Sequence, residues 1–320
     1  MKHIHISSIE EQAAEAYKTP PLGEDGRGFR EACDGLTNYV CECNRAFNAE
    51  TLHPLVSLID MSSPCGRGRM KTDCYAVVFK HRPHDGAKYG RRPYDFSDGT
   101  LLFVTPRKTI DLETNDSQML IFHPSLIKCT PLGVRLKEYS FFKYRQDESL
   151  HISCCEEKVV RRCLGCIQDE LCWGVDEYSK DIISNTIDLL LGYCRRFYNR
   201  QFITRHEANA DAIARLDGTI DDYLLSGRAA RCGLPTACSL AAGLDMSSEY
   251  LNDMLKNETG KNVSEYVQLR RLSMAKQLLL AGKMAVSEIS DTLGFSSPVC
   301  FAAVFKKATG RTPEEYRGDE

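Results

Sequence analysis

The sequence predicts an α+β chain. A small N-terminal β-barrel or jelly roll comes first, then a helical hairpin, then an all-α C-terminal region with two helix-turn-helix units joined by a linker helix. Three observations predict it. Short β-rich runs fill residues 72–150, the apolar period switches from two residues to a helical one after 150, and one helical design is written twice over 236–317.

The β-rich runs are CYAVVFK (74–80), TLLFVTP (100–106) and QMLIFHP (118–124), separated by the turn-formers HDGAKYG and FSDG. Several short strands with glycine-bearing turns suit a small barrel or jelly roll. Residues 1–70 are poorly patterned, and TPPLGEDGRGF and SSPCGRGRM read as loops.

The helical hairpin follows. In EEKVVRRCLGCIQDELCW, Val160, Leu164, Ile167 and Leu171 form one apolar stripe. In the next helix Ile182, Thr186, Leu189, Tyr193 and Phe197 repeat the spacing. Two such helices can pair antiparallel and offer their remaining apolar surface to a second copy. A further helix spans 208–225, and SGRAARCGLPT reads as a linker.

The repeat carries the most information. At an offset of 50 residues, Leu251, Leu255 and Lys256 match Phe301, Phe305 and Lys306. Thr259-Gly260 match Thr309-Gly310, and Glu265-Tyr266 match Glu315-Tyr316. Upstream the offset is 49, pairing Leu240 with Ile289 and Leu244 with Leu293. Each unit reads as a short helix, a turn and a second helix. Asp245 or Gly294 takes the turn, and Ser247/Ser248 or Ser296/Ser297 caps the helix that follows. Between the units, Tyr266, Leu269, Leu272, Ala275 and Leu279 mark a linker helix. A stiff linker can hold two reading helices on one side of a duplex, about 34 Å apart.

These motifs resemble the AraC/XylS family of bacterial transcription regulators. The matching text is YLNDMLKNETGKNVSEYV, AKQLLL, VSEISDTLGF and FAAVFKKATGRTPEEYR, with YGRRPYDFSDGTLLF, FHPSLI, EYSFFKY and RFYNRQFITR further forward, so the resemblance covers residues 70–318. After the irregular extension read over 1–70, it implies a cupin-like sensor barrel over 71–150 and a dimerising helical hairpin over 151–205. A linker with a leading helix over 206–232 and a double helix-turn-helix domain over 233–320 complete it. It further implies a homodimer that binds double-stranded DNA in the cytoplasm, responds to a small-molecule effector and meets RNA polymerase. No catalytic residue, cofactor or metal is expected.

The DNA-contact positions implied are Ser248, Glu249, Asn252, Asp253 and Lys256 in the first unit. In the second they are Ser297, Pro298, Val299, Cys300, Ala303, Lys306, Lys307 and Arg311. The second set departs from the family, which commonly places polar side chains and an arginine on that face. None of Pro298, Val299, Cys300 and Ala303 can make a bidentate bond to a purine, although Val299 and Cys300 can touch a thymine methyl. Lys306, Lys307 and Arg311 suit phosphates, which fix register without reading sequence. In the first unit Asn252 can bond adenine, and Glu249 or Asp253 can accept from cytosine. Residues 231–320 carry 11 Lys/Arg and 11 Asp/Glu, so non-specific attraction is weak and paired sites on a dimer are expected to restore affinity.

Other features bound the alternatives. At 320 residues with a net charge of -3, the chain has no overall basic signature. No apolar run approaches the ~18 residues that span a bilayer, and MKHIHISSIE has no apolar leader core. The 15 cysteines therefore read as reduced thiols. Tyr89, Arg91, Arg92 and Tyr94 could hold an anionic or sugar-like effector, or simply be loop residues. His81, His84 and His123 keep a metal-dependent cupin enzyme with a degenerate helical tail as the runner-up. It would need about three converging ligands, and His81-x-x-His84 puts two rings on opposite faces of an extended strand unless a turn intervenes. Cys163 and Cys166 in CLGC, with Cys154, Cys155 and Cys172 nearby, add a thiol-based redox sensor as a third reading.

Overall fold

Each of the three β-rich runs becomes a strand in the computed structural model, which describes residues 40–62, 69–83, 85–111 and 116–318. The described residues form two units interleaved in sequence. One takes the described residues as far as 83, Ser97–Tyr139 and Ile152–Tyr193. The other takes Asp85–Phe96, Ser140–His151 and the described residues from Cys194 onward.

The first unit holds β1 (Val56–Asp60), β3 (Tyr75–His81), β4 (Gly99–Val104) and β6 (Ser117–Phe122), neighbours in the order β1-β6-β3-β4. All three pairings are antiparallel, with Val77 opposite Phe103 on one side and Leu120 on the other. A separate pair joins β2 (Arg69–Lys71) to β5 (Thr109–Asp111), and β7 (Leu150–Ile152) follows later in the chain. Alternation sorts the side chains. Ala76, Val78, Met119 and Ile121 share one buried cluster with Val40, Cys43 and Phe47 of the α1 region (α1, Val40–Ala46). Burial pushes the thiol of Cys43 up to about 11 and that of Cys74 up to about 12, so both act as small apolar side chains. The opposite face meets α4 (Cys154–Trp173), where Arg161 lies over the Phe79 ring at 5.1 Å. Between β6 and α4 the chain makes two short turns of helix, α2 (Pro124–Ile127) and α3 (Pro131–Arg135), each started by a proline behind a capping side chain.

Two elements fall where the sequence pattern is weak. α1 and β1 lie in the stretch read as irregular, since seven and five residues are too few to show a period. Residues 1–39 and His84 lie outside the described residues.

α4 buries Val160, Leu164, Ile167 and Leu171 as its stripe predicts. α5 (Ser179–Thr204) follows its own only in part, at the buried Phe197. It buries Ile183, Ile187, Leu190, Leu191 and Cys194, and leaves Ile182 45% and Leu189 54% exposed. Apolar residues occupy two adjoining faces of this helix, and packing takes the one a residue further on.

The second unit continues with α6 (His206–Leu225), α7 (Arg228–Cys232), α8 (Ala237–Gly243), α9 (Ser248–Thr259) and α10 (Val263–Leu280), then α11 (Val286–Thr292), α12 (Pro298–Thr309) and α13 (Pro313–Arg317). α7 sits inside the segment read as a linker, bracketed by Gly227 (φ 67°) and Gly233 (φ 77°). α10 buries Tyr266, Val267, Met274, Ala275 and Leu279, while Leu269 is 45% exposed. Its Tyr266 hydroxyl donates to Asp217 of α6 (2.8 Å), and Arg270 reaches Asp217 at 3.3 Å. Among the described residues, no helix is long and apolar enough to cross a membrane.

Candidate nucleic-acid interface

The two helix pairs, α8–α9 and α11–α12, are built by the same local chemistry. Asp245 turns the first pair at φ 56° and Gly294 the second at φ 72°. A Cβ on Gly294 would lie 2.5 Å from the Ala229 carbonyl oxygen, so only glycine fits the second turn. Ser247 accepts from the Tyr250 N–H and starts α9; Ser297 accepts from the Cys300 N–H and starts α12. Inside, Leu251 and Leu255 of α9 and Phe301 and Phe305 of α12 are fully buried. Ser297→Ala is expected to remove about 1 kcal/mol of stability, read as a lower urea midpoint with an unchanged slope.

The outer faces of α9 and α12 differ. On α12, Pro298, Val299, Cys300 and Ala303 are exposed, Val299 by 80%, and so are Lys306, Lys307 and Arg311. On α9, only Lys256 of the five candidate residues is exposed, and the other four are half-buried. Asn252 accepts from the Val263 N–H at 3.2 Å and so caps the start of α10. Asp253 accepts from the hydroxyls of Ser140 and Tyr144, the latter at 2.6 Å. Ser248 donates to Glu249, which also pairs with Lys143 at 3.6 Å.

The segment Ser140–Ser149 therefore lies across α9 as a strap. Its firmest hold is Glu148, a carboxylate 5% exposed that accepts from Ser247 N–H (2.7 Å), Ser247 Oγ (2.6 Å) and Arg145 N–H (2.7 Å). Burial and the Asp253 carboxylate push the Tyr144 hydroxyl well above the usual tyrosine range, so it stays a donor. The Arg145–Asp245 and Lys143–Glu249 pairs are open to solvent and add little. Glu148 and Tyr144 dominate.

A second buried group braces the same helix. Arg205, between α5 and α6, donates to both carboxylate oxygens of Asp95 (3.0 and 2.6 Å), to the Tyr250 hydroxyl (3.2 Å) and to the Gly90 carbonyl (3.1 Å). Asp95 belongs to the stretch that holds the candidate effector residues. There Tyr89 is buried, Arg91 is half-buried, and Arg92 and Tyr94 are exposed. The buried His151 donates from Nε2 to the Tyr89 carbonyl at 3.1 Å.

Burial, and then the charge of Arg205, lower His151 from 6.5 to about 4. It is neutral when folded, so unfolding takes up a proton below pH 6.5. Its contribution is complete above pH 6.5 and is lost as pH falls from there towards about 4. Urea midpoints at pH 7 and pH 5 are expected to differ, and to differ less in His151→Gln.

Of the histidines weighed for metal, His81 lies 2.9 Å from Glu157 and His123 caps α2 by accepting from the Ser125 N–H. In CLGC, Cys163 is buried, which raises its thiol pKa, and Cys166 is exposed. Sequence reasoning passed over Glu148, Tyr144 and Arg205. Their partners lie about a hundred residues away for Glu148, Tyr144 and the Arg205–Asp95 pair, and no local period announces such pairings. Arg271 was also missed, although a signal existed: it sits four residues from Val267 and from Ala275, both inward-facing.

A family model described as a helix-turn-helix domain matches residues 240–319. Over 76 residues the chain is 45% identical to the uncharacterized transcriptional regulatory protein YesN of Bacillus subtilis, covering 23% of this chain and 21% of that one. Over 120 residues it is 28% identical to the HTH-type transcriptional activator RhaR of Escherichia coli, covering 36% and 42%. The C-terminal domain of the two-component response regulator yesN from Fusobacterium nucleatum is 30% identical, with 33% of this chain and 98% of that one covered and a TM-score of 0.28. The chain spans less than half the length of the curated relatives it matches. The repeated capped helix pairs and the family match make residues 240–319 a helix-turn-helix domain, similar in sequence to those of the transcription regulators named above.

Proposed function

We propose that the chain is a DNA-binding transcription regulator that responds to a small-molecule effector and binds paired sites as a dimer. The observation that carries this reading is the twofold helix-turn-helix design, with α9 and α12 each started by a serine cap and joined by the 18-residue α10. In such pairs the second helix enters the major groove with its N-terminal residues foremost. α12 offers apolar contacts to thymine methyls, with Lys306, Lys307 and Arg311 for phosphates.

The strap supplies the switch in this reading. A helix N-terminus is a natural seat for a DNA phosphate, and Glu148 occupies that seat on α9 with the same acceptor chemistry. The strapped state reads DNA through the second unit alone, and release of Ser140–Ser149 frees the first. The Arg205 clamp, which joins the Tyr89–Tyr94 stretch to α9 through Tyr250, is the route by which an effector would bias that release. The sensor barrel over 71–150 and the hairpin over 151–205 remain our assignment for effector and dimer. Support for the dimer comes from exposed apolar side chains, Ile182 and Leu189 on α5, Trp173 (88%) at the end of α4 and Tyr178 (62%) between the two helices.

Selection of bound fragments from genomic DNA with the full-length chain tests the proposal. A recurrent two-part motif protected from cleavage supports it, whereas recovery of fragments without a shared motif contradicts it.

A further inference from the structure

Arg271 of α10 is 6% exposed, and no acidic side chain pairs with it among the described residues. Its Nε donates to the Leu293 carbonyl at 2.8 Å, which fixes the guanidinium at the end of α11. The guanidinium carbon lies 3.4 Å from the centre of the Phe295 ring, and Nη1 makes a long contact of 3.4 Å to Gln268. Nη2 is buried and has no hydrogen-bond partner among the described residues. Burial lowers the pKa of Arg271 to about 10, so it stays a cation at neutral pH. A buried cation with an unfilled donor is a costly arrangement that calls for an anion.

The same arginine lines a groove of about 580 Å³, within the range of small-molecule sites. Leu272, Phe295 and Val304 give it apolar walls, while Gln268 and Ser296 add polar groups, and none of its lining residues is acidic. Cys300 stands at its exposed edge. A phosphate dianion needs more donors than this to replace its hydration. A carboxylate needs fewer, and its apolar body would fill the walls.

We propose that this groove between α10 and α12 binds a small organic monocarboxylate, with the carboxylate on Arg271 and the apolar body against Leu272, Phe295 and Val304. The site is separate from the strap and stands whether or not the chain reads DNA.

Benzoate is a suitable probe, with neutral benzamide of the same shape as its control. In the full-length chain, alkylation of Cys300 by iodoacetamide is followed by peptide mass spectrometry. Millimolar benzoate is expected to slow labelling of Cys300 several-fold and saturably, leaving Cys129 and Cys238 unaffected; benzamide is expected to do nothing. Arg271→Gln should lose the protection, with folding checked by thermal melting. Val304→Phe, which fills the groove and leaves Arg271 in place, should lose it too. Equal protection by benzamide, protection surviving in Val304→Phe, or none in the native chain would overturn the proposal.

Discussion

Glu148→Gln is expected to tighten DNA binding by the full-length chain by about ten- to a hundredfold, the range of one to two charge-assisted hydrogen bonds. Glutamine keeps an acceptor for the Ser247 N–H. It also turns an amide N–H₂ towards Arg145 N–H and Ser247 Oγ, both of which now donate to the carboxylate. The strap loosens and α9 keeps its own cap, because Ser247 Oγ still accepts from Tyr250 N–H. Tyr144→Phe should act in the same direction and less strongly, since it removes one bond to Asp253 and leaves Ser140 in place. Mobility-shift titrations at fixed salt read the effect, with melting temperatures alongside. Unchanged or weaker binding by both variants would mean that the strap does not restrain α9.

Arg205→Ala is expected to cost about 3–5 kcal/mol, because it strands the Asp95 carboxylate in the interior. The Asp95 side chain has no exposed surface, and both its oxygens bond only to this arginine and the Arg92 N–H in the described structure. Asp95→Ala on the Arg205→Ala background should recover part of the loss, because the stranded charge is gone. A urea double-mutant cycle reads the coupling. Additive losses would show that the two side chains stabilise the fold independently, against the clamp described above.

What the sequence revealed, and what it hid, follows from range. The turns at Asp245 and Gly294, the caps Ser247 and Ser297, and the cores around Leu251 and Phe301 are local events within a dozen residues, and all are legible. So are the strands at 75–81, 99–104 and 117–122, where β-rich runs meet turn-formers. The face chosen by α5 is less so. Ile182 and Ile183 are equally apolar, and only packing partners decide between them. Among the candidate reading residues, Asn252 and Asp253 are engaged by Val263 and by the strap, partners no local pattern announces. The strap itself was invisible. EYSFFKY and RQDES carry no helical or strand period, and the value of Glu148 arises only when folding brings it to Ser247.

Nuclease or hydroxyl-radical footprinting of the full-length chain on its selected DNA tests the central claim most directly. Two protected patches on one face of the duplex, about one helical turn apart, are predicted for each bound chain in Glu148→Gln, with one patch dominant in the native chain. Protection without that spacing, or none at all in either protein, would contradict it.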